Sequence, residues 1–367
     1  MKYLDEMLPW NDRLQVLECD AAIEEAPDVM TFSFRTVENN NWFRYMPGQF
    51  ITIEIPVGPE LSSEPVMRTY TLSSTPSRPY SVSITIKAQA GSIGTRWMLD
   101  NMRPGMQLKA FGPAGDFSLV SHPGEKYLFI SAGSGITPMM SMTRFLYDTQ
   151  PHTDIVFLNC ARSPDEIIFR KELELLASRM DKLRLQLVVE QSIARNVWSG
   201  VHGRISHSII DISAPDFRSR TVFCCGPEPF MRAVREILEA NDFNMDNFHQ
   251  ESFQPASDTP AQPLPLTVAG ETGPDGDTSA EPASVIFTQS GMEVQCSATD
   301  TVLLAARNGG LKIPSACEFG VCGTCKVKCL SGETIMNHNG GIRDDEIEEG
   351  YILACCSHPV GRVEIDL

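Results

Sequence analysis

The stretch CEFGVCGTCKVKC, residues 317–329, places four cysteines in a short segment of a 367-residue chain. So dense a group of soft, oxidisable side chains permits few solutions. The loop is stapled by disulfides, closed on a zinc ion, or wrapped round an iron–sulfur centre. Cys317, Cys322 and Cys325 have the spacing C-x4-C-x2-C, and Cys355 follows after 29 further residues. A zinc site would more often show two short C-x2-C knuckles or histidine ligands, and only one C-x2-C is present. The opening residues, MKYLDEMLPWNDRLQVLECDAAIEEAPDV, contain acids throughout and no uninterrupted apolar core. They predict no signal peptide, and hence a cytoplasmic chain whose thiols stay reduced. Disulfides then recede, and the spacing is that of a plant-type [2Fe–2S] site. The small residues Gly320, Gly323 and Thr324 suit it, because they let the backbone close on the cluster and aim N–H groups at its sulfurs.

Composition narrows the rest. Hydrophobic residues make up 42% of the chain and charged residues 21%, with no apolar run long enough to span a bilayer. A net charge of −17 argues against nucleic-acid binding, which needs a basic surface. Such acidity suits docking onto a basic face of a protein partner, or it serves solubility alone.

Three bodies are expected. VMTFSFRTV, QFITIEIPV, RTYTLSST and SVSITIKAQ alternate as strands between Gly- and Pro-rich turns, with one helix at 93–102, predicting an antiparallel β-barrel over 1–122. From KYLFISAGSGITP onward, buried strands alternate with helices, predicting a parallel α/β sheet of nucleotide-binding type over 123–253. Within it, 164–180 has helical spacing, with Pro164 and Asp165 at its start. Residues 254–283 hold six prolines and five acids, with no aromatic or basic residue, and read as an extended linker. The last body, 284–367, opens with a hairpin and a short helix with Asp300 as its N-cap and Gly309 as its stop.

Five further motifs appear in order. RTYTLSS (68–74) offers a guanidinium at Arg68, an aromatic plate at Tyr70 and a hydroxyl at Thr71. KAQAGSIGT supplies Lys87, Gly91 and Thr95 ahead of a helix N-terminus. SAGSGITP places Gly133, Gly135, Thr137 and Pro138 after a buried strand, where backbone amides can approach a pyrophosphate. CCGPEPFM carries Cys225, Gly226 and Pro227, and HQESF carries Glu251 and Phe253.

Together these motifs resemble the ferredoxin–NADP reductase superfamily, and residues 285–367 resemble plant-type ferredoxin domains. The resemblance implies a flavin-binding barrel, a nucleotide domain and a β-grasp ferredoxin domain. It implies that Arg68, Tyr70 and Thr71 hold the flavin, with Thr71 near its N5. Lys87, Gly91 and Thr95 would meet the pyrophosphate of FAD, with Phe253 beside the flavin. Gly133, Gly135, Thr137, Pro138, Arg162, Cys225, Gly226 and Pro227 would hold the pyridine nucleotide. Thr71, Cys225 and Glu251 stand where the family's catalytic groups stand. LACCSHP matches the ferredoxin pattern L-x-C-x-x-x-P, which makes Cys355 the fourth ligand after Cys317, Cys322 and Cys325, and leaves Cys329 and Cys356 as packed thiols. NADH is the family's habit, but Arg162-Ser163 could hold a 2′-phosphate and Asp165 would repel one, so NADPH stays open.

The order of modules resembles reductase components of bacterial oxygenases, those serving Rieske-type demethylases of quaternary amines such as glycine betaine or stachydrine above all. The NADH reductase of hybrid-cluster proteins shares the architecture. A non-catalytic flavin and iron–sulfur sensor is the alternative from another class. Hydride donors give two electrons and a [2Fe–2S] cluster takes one, so a flavin between them converts one into the other.

Overall fold

Pro27 and Asp28, the latter at φ 57°, turn the chain between the first two barrel strands, Gln15–Ala26 (β1) and Val29–Thr36 (β2). The computed structural model describes the chain apart from residues 1–7, 10–14, 38–40, 58–64, 90, 193–196, 254–281, 314, 316–319, 321–322, 324, 339–341 and 343. It divides into two units, Met1–Gln254 and Pro255–Leu367. The proposed linker falls almost wholly outside the described residues.

In the first unit, β1 and β2 join Phe50–Ile55 (β3), Val66–Thr71 (β4), Val82–Lys87 (β5) and, after helix α1 (Ile93–Asn101), Gln107–Ala114 (β6). Their antiparallel order is β4-β3-β6-β1-β2-β5. A Leu72–Ile84 bridge and the Ser73 N–H donating to Ser83 O (2.8 Å) join the two edge strands and close the barrel. Strand alternation turns Phe32, Phe34, Ile51, Ile53 and Ile84 inward, and α1 adds Met98 and Leu99 to that core.

The remainder of the unit is a six-stranded parallel sheet. Its elements are β7 (Lys126–Ala132), α2 (Ile136–Thr149), β8 (Asp154–Ala161), α3 (Arg170–Arg179), β9 (Leu183–Val189), β10 (Val201–His202), α4 (His207–Ser213), β11 (Thr221–Gly226), α5 (Glu228–Glu239) and β12 (Phe248–Ser252). The order β10-β9-β8-β7-β11-β12 reverses direction beside β7. The switch point therefore lies at the carboxyl ends of β7 and β11, where the crevice that takes a ligand is found in such sheets.

The helix expected over 164–180 is interrupted. Pro164–Glu166 form a 3-10 turn, Phe169 adopts φ 58°, and α3 begins only at Arg170. Ile167, Ile168 and Phe169 are all buried. Three successive residues cannot share one helical face, so the chain kinks to bury them all.

The second unit is a mixed sheet. Its strands are β13 (Pro282–Phe287), β14 (Met292–Ser297), β15 (Lys326–Met336), β16 (Tyr351–Leu353) and β17 (Ser357–Asp366), ordered β14-β13-β17-β15-β16 with β13 and β17 parallel. Helix α6 (Val302–Asn308) packs Val302, Leu303, Ala305 and Ala306 onto it, the β-grasp arrangement, and α7 spans Asp344–Glu348. The N-cap of α6 is Thr301, not Asp300: Thr301 Oγ1 accepts from the Leu304 N–H (3.2 Å). Asp300 instead accepts from the Ser297 N–H (2.8 Å), closing the turn before the helix. Among the described residues no helix is long and apolar enough to cross a membrane.

One ionic network anchors the amino ends of the parallel strands. The Arg220 side chain is wholly buried; it donates to both Asp216 oxygens (2.8 and 3.0 Å), to Asp154 (2.8 Å) and to Tyr127 O (3.1 Å). Hydrogen bonds from Arg220 hold the Asp216 carboxyl down at about 2. Removing the guanidinium takes the shortest ion pair from each of the two carboxylates and empties a buried site between them. Arg220→Ala is expected to lower the stability of the first unit by about 3 kcal/mol. All four tryptophans precede residue 254, so urea unfolding followed by tryptophan emission reads this unit alone. A loss below about 1 kcal/mol would mean that water takes over the two carboxylates.

Candidate functional site

Strand β4 lies against β3, with Arg68 opposite Ile53, Tyr70 opposite Ile51 and Thr71 opposite Phe50. Tyr70 Oη and Thr71 Oγ1 are buried without a hydrogen-bond partner. Burial drives the Tyr70 phenol above its ordinary range and keeps it protonated. Arg68 is half-buried and runs along the first turn of α1. A Cβ added at Gly94 would lie 3.2 Å from Arg68 Cγ. The turn into α1 is built locally: Gly91 has φ 78°, and Thr95 Oγ1 accepts from the Gln89 N–H (3.2 Å). A helix N-terminus beside a guanidinium favours an anion. Lys87 does not stand alone at this cradle, since its Nζ pairs with Glu166 Oε2 at 3.1 Å.

The second half-site is the crevice beside β7. Gly133 takes φ 56°, opening the 3-10 turn Gly133–Gly135 that leads into α2. Gly135 tolerates no side chain: a Cβ there would overlap the Cys225 carbonyl and come within 2.5 Å of the Gly226 nitrogen. Thr137 donates its hydroxyl to Ser134 O (3.1 Å), and Pro138 is buried in the first turn of α2. Gly226 packs against Ala132 and Phe230, and Pro227 caps α5.

Strand register brings Asn159, Ser131, Cys225 and Glu251 into one row across β8, β7, β11 and β12. Asn159 Nδ2 donates to Ser131 Oγ (3.0 Å). Glu251 Oε2 is buried with no partner. Burial pushes the Glu251 carboxyl up to about 8, and burial and the neighbouring Glu251 push the Cys225 thiol well above its ordinary range. At neutral pH both groups therefore hold their protons. Arg162 is exposed; its backbone O accepts from the Gln191 N–H (3.0 Å). Phe253 is exposed at the end of the described segment.

In the second unit, Cys317 and Cys322 lie outside the described residues, while Cys325 and Cys355 come together. The Cys355 N–H donates to Cys325 Sγ (3.4 Å), and the Gly320 N–H donates to Cys355 Sγ (3.3 Å). Gly320 has φ 68°, and a Cβ there would sit 2.6 Å from Cys356 Sγ. Cys356 turns its thiol to Leu353 O (3.6 Å), and Cys329 turns its own to Ser331 O (3.5 Å).

Sequence reasoning passed over Ser131 and Asn159. Their signal was available: each is the polar residue near the end of an otherwise apolar buried strand, YLFIS and IVFLN.

Three family models match in this order: an oxidoreductase FAD-binding domain over 17–119, an oxidoreductase NAD-binding domain over 129–236, and a 2Fe-2S iron-sulfur cluster binding domain over 285–360. The chain is 50% identical to the stachydrine N-demethylase reductase subunit of Rhizobium meliloti, over 97% of each chain. It is 42% identical to the glycine betaine monooxygenase reductase subunit of Pseudomonas aeruginosa, over 97% of this chain and 96% of that one. Phthalate dioxygenase reductase, at 23% identity, shares the fold with a TM-score of 0.59 over 97% of this chain and 98% of its own. The chain belongs to the family of oxygenase reductase subunits that join an FAD domain, an NAD domain and a [2Fe–2S] domain in one polypeptide.

Proposed function

We propose that the chain takes a hydride from NADH and delivers single electrons to a Rieske-type oxygenase that demethylates a quaternary amine of the stachydrine or glycine betaine class. The observation that carries this reading is the end-to-end 50% identity with a stachydrine N-demethylase reductase subunit. Such work belongs in the cytoplasm, where NADH is made and thiols stay reduced.

FAD, when bound, supplies the conversion of a two-electron donor into a one-electron source. The fit rests on Tyr70 Oη, Thr71 Oγ1 and Glu251 Oε2, buried polar atoms that lack a protein partner. Leaving each unpaired costs about 1–3 kcal/mol, so all three favour a polar ligand. Arg68 and the α1 N-terminus, with Gly91 and Thr95, bind the pyrophosphate, while Lys87 adds its charge from the Glu166 pair. Phe253 covers the flavin edge. Gly133, Gly135, Thr137, Pro138, Gly226 and Pro227 shape the nucleotide crevice, with Arg162 at its adenosine end. Cys225, held as a thiol, gives the nicotinamide a soft packing surface and is no nucleophile. Cys317, Cys322, Cys325 and Cys355 ligate the cluster, and the Gly320 and Cys355 N–H groups stabilise its sulfur charge. The barrel is assigned to 1–122, the nucleotide domain to 123–253, the linker to 254–283 and the ferredoxin domain to 284–367.

Three measurements test these roles. Reconstitution with a Rieske-type demethylase and, in parallel, with a hybrid-cluster protein, each with NADH and NADPH, is expected to give coupled product only in the first and at least about tenfold faster with NADH. Coupling to the hybrid-cluster protein alone would reassign the acceptor.

Cys355→Ser should lose the visible and EPR signals of the cluster, and Cys356→Ser should keep them. The opposite pattern would move the fourth ligand by one position.

While neutral, that is below about pH 8, Glu251 can donate a hydrogen bond to a bound ligand. Hydride transfer in the wild type should therefore decline as pH rises through 8, and Glu251→Gln should abolish that decline. Glu251→Ala should slow the step about a hundredfold at pH 7. A Gln variant with an unchanged pH profile would remove Glu251 from the reaction.

A further inference from the structure

The inference rests on the flavin and nucleotide half-sites proposed above and concerns what sets the distance between them. The Lys87–Glu166 pair (3.1 Å) is one direct link between them. A second, more extensive tie is one stripe of α2. Ser141, Arg144 and Asp148 follow at intervals of three and four, so they share one face of that helix.

All three grip the segment 73–78, which begins two residues after Thr71. Ser141 donates its hydroxyl to Ser74 O (2.6 Å) and accepts from the Gly48 N–H (3.3 Å). Arg144 donates to Ser73 O (2.5 Å). Asp148 accepts from Ser77 Oγ (2.5 Å) and, through both oxygens, from Arg78 Nε and Nη2 (2.9 and 2.7 Å).

Each side of this junction is itself braced. Arg144 is locked by a two-point pair with Glu172 (2.8 and 2.6 Å), and its guanidinium covers the Phe169 ring at 4.9 Å. Phe169 is the residue of the left-handed turn that precedes α3. On the barrel side, Ser73 Oγ bonds Thr85 Oγ1 (2.9 Å), Tyr45 Oη bonds Ser74 Oγ (2.8 Å), and the Leu72 N–H donates to Gln49 O (2.9 Å). The segment can therefore shift only with Thr71 and Tyr70, and α2 only with Gly133–Gly135.

We propose that the Ser141–Arg144–Asp148 stripe is a positioning device that fixes how closely the nicotinamide half-site on α2 approaches the flavin half-site on β4. Hydride transfer needs donor and acceptor within about 3–3.5 Å, and a misplacement of about 1 Å costs about a hundredfold. Binding of either cofactor needs only its own half-site.

The full chain carries the test, through Asp148→Asn, Arg144→Lys and the double variant. Asp148→Asn keeps volume while losing the charge that holds Arg78, and Arg144→Lys keeps charge while losing the fork. FAD content and the Kd for NAD+ should stay within about twofold of the wild type. Hydride transfer in stopped flow should slow at least about tenfold in the double variant, and the long-wavelength absorbance of nicotinamide stacked on flavin should weaken in step. Flavin-to-cluster transfer after photoreduction should be unchanged. Hydride transfer within twofold of the wild type, with the absorbance intact, would overturn the proposal. Loss of FAD from both single variants would overturn it too, making the stripe part of the fold. A wild-type chain that binds FAD but is not reduced by NADH would instead sink the functional reading beneath it.

Discussion

The bare backbone at Gly135 is the constraint on which the nucleotide half of the molecule depends. With no Cβ there, the turn after β7 settles onto the Cys225–Gly226 peptide, and α2 starts directly over the crevice. The same helix then runs along the barrel and fastens to the 73–78 segment. One close approach and one polar stripe thus carry position from the sheet edge to the flavin side. A side chain at Gly135 would lift α2 and disturb both ends, because packed interiors transmit displacement instead of absorbing it.

Against that rigid frame, the unpaired atoms at Tyr70, Thr71 and Glu251 stand out. Buried polar groups are nearly always satisfied, and domains are stable by only about 5–15 kcal/mol. Three orphans in one unit are a substantial fraction of that margin. A polar ligand that supplied their partners would stabilise the folded state alone. The row Asn159–Ser131–Cys225–Glu251 extends this polar character beneath the crevice. Asn159 and Ser131 already bond each other, and Glu251 Oε2 has no hydrogen-bond partner.

The two units rest on different physical solutions. The first has three aromatic-rich clusters and a buried ionic network at Arg220. Among the described residues, the second has a core that joins Val285, Phe287 and α6 to Cys325 and Cys355. Two of the proposed cluster ligands are thus also core residues, and metal binding there counts as folding free energy.

The sequence alone determined the elements and their chemistry. Strand alternation marked the barrel, buried apolar runs between helices marked the parallel sheet, and G-x-G before Thr137-Pro138 marked the turn over the crevice. These signals are local, set by residues a few positions apart. The C-x4-C-x2-C spacing belongs with them, because Cys317, Cys322 and Cys325 lie within nine residues. Only the tertiary structure decided the break at Phe169, where burying three consecutive apolar residues overrode helical spacing. It alone paired Arg220 with Asp154 and aligned Ser131 with Glu251 through strands distant in sequence. It alone set Arg144 on Ser73. Those contacts join residues 66 to 120 positions apart or exist only across a sheet, and no periodicity along the chain records which strand becomes which neighbour.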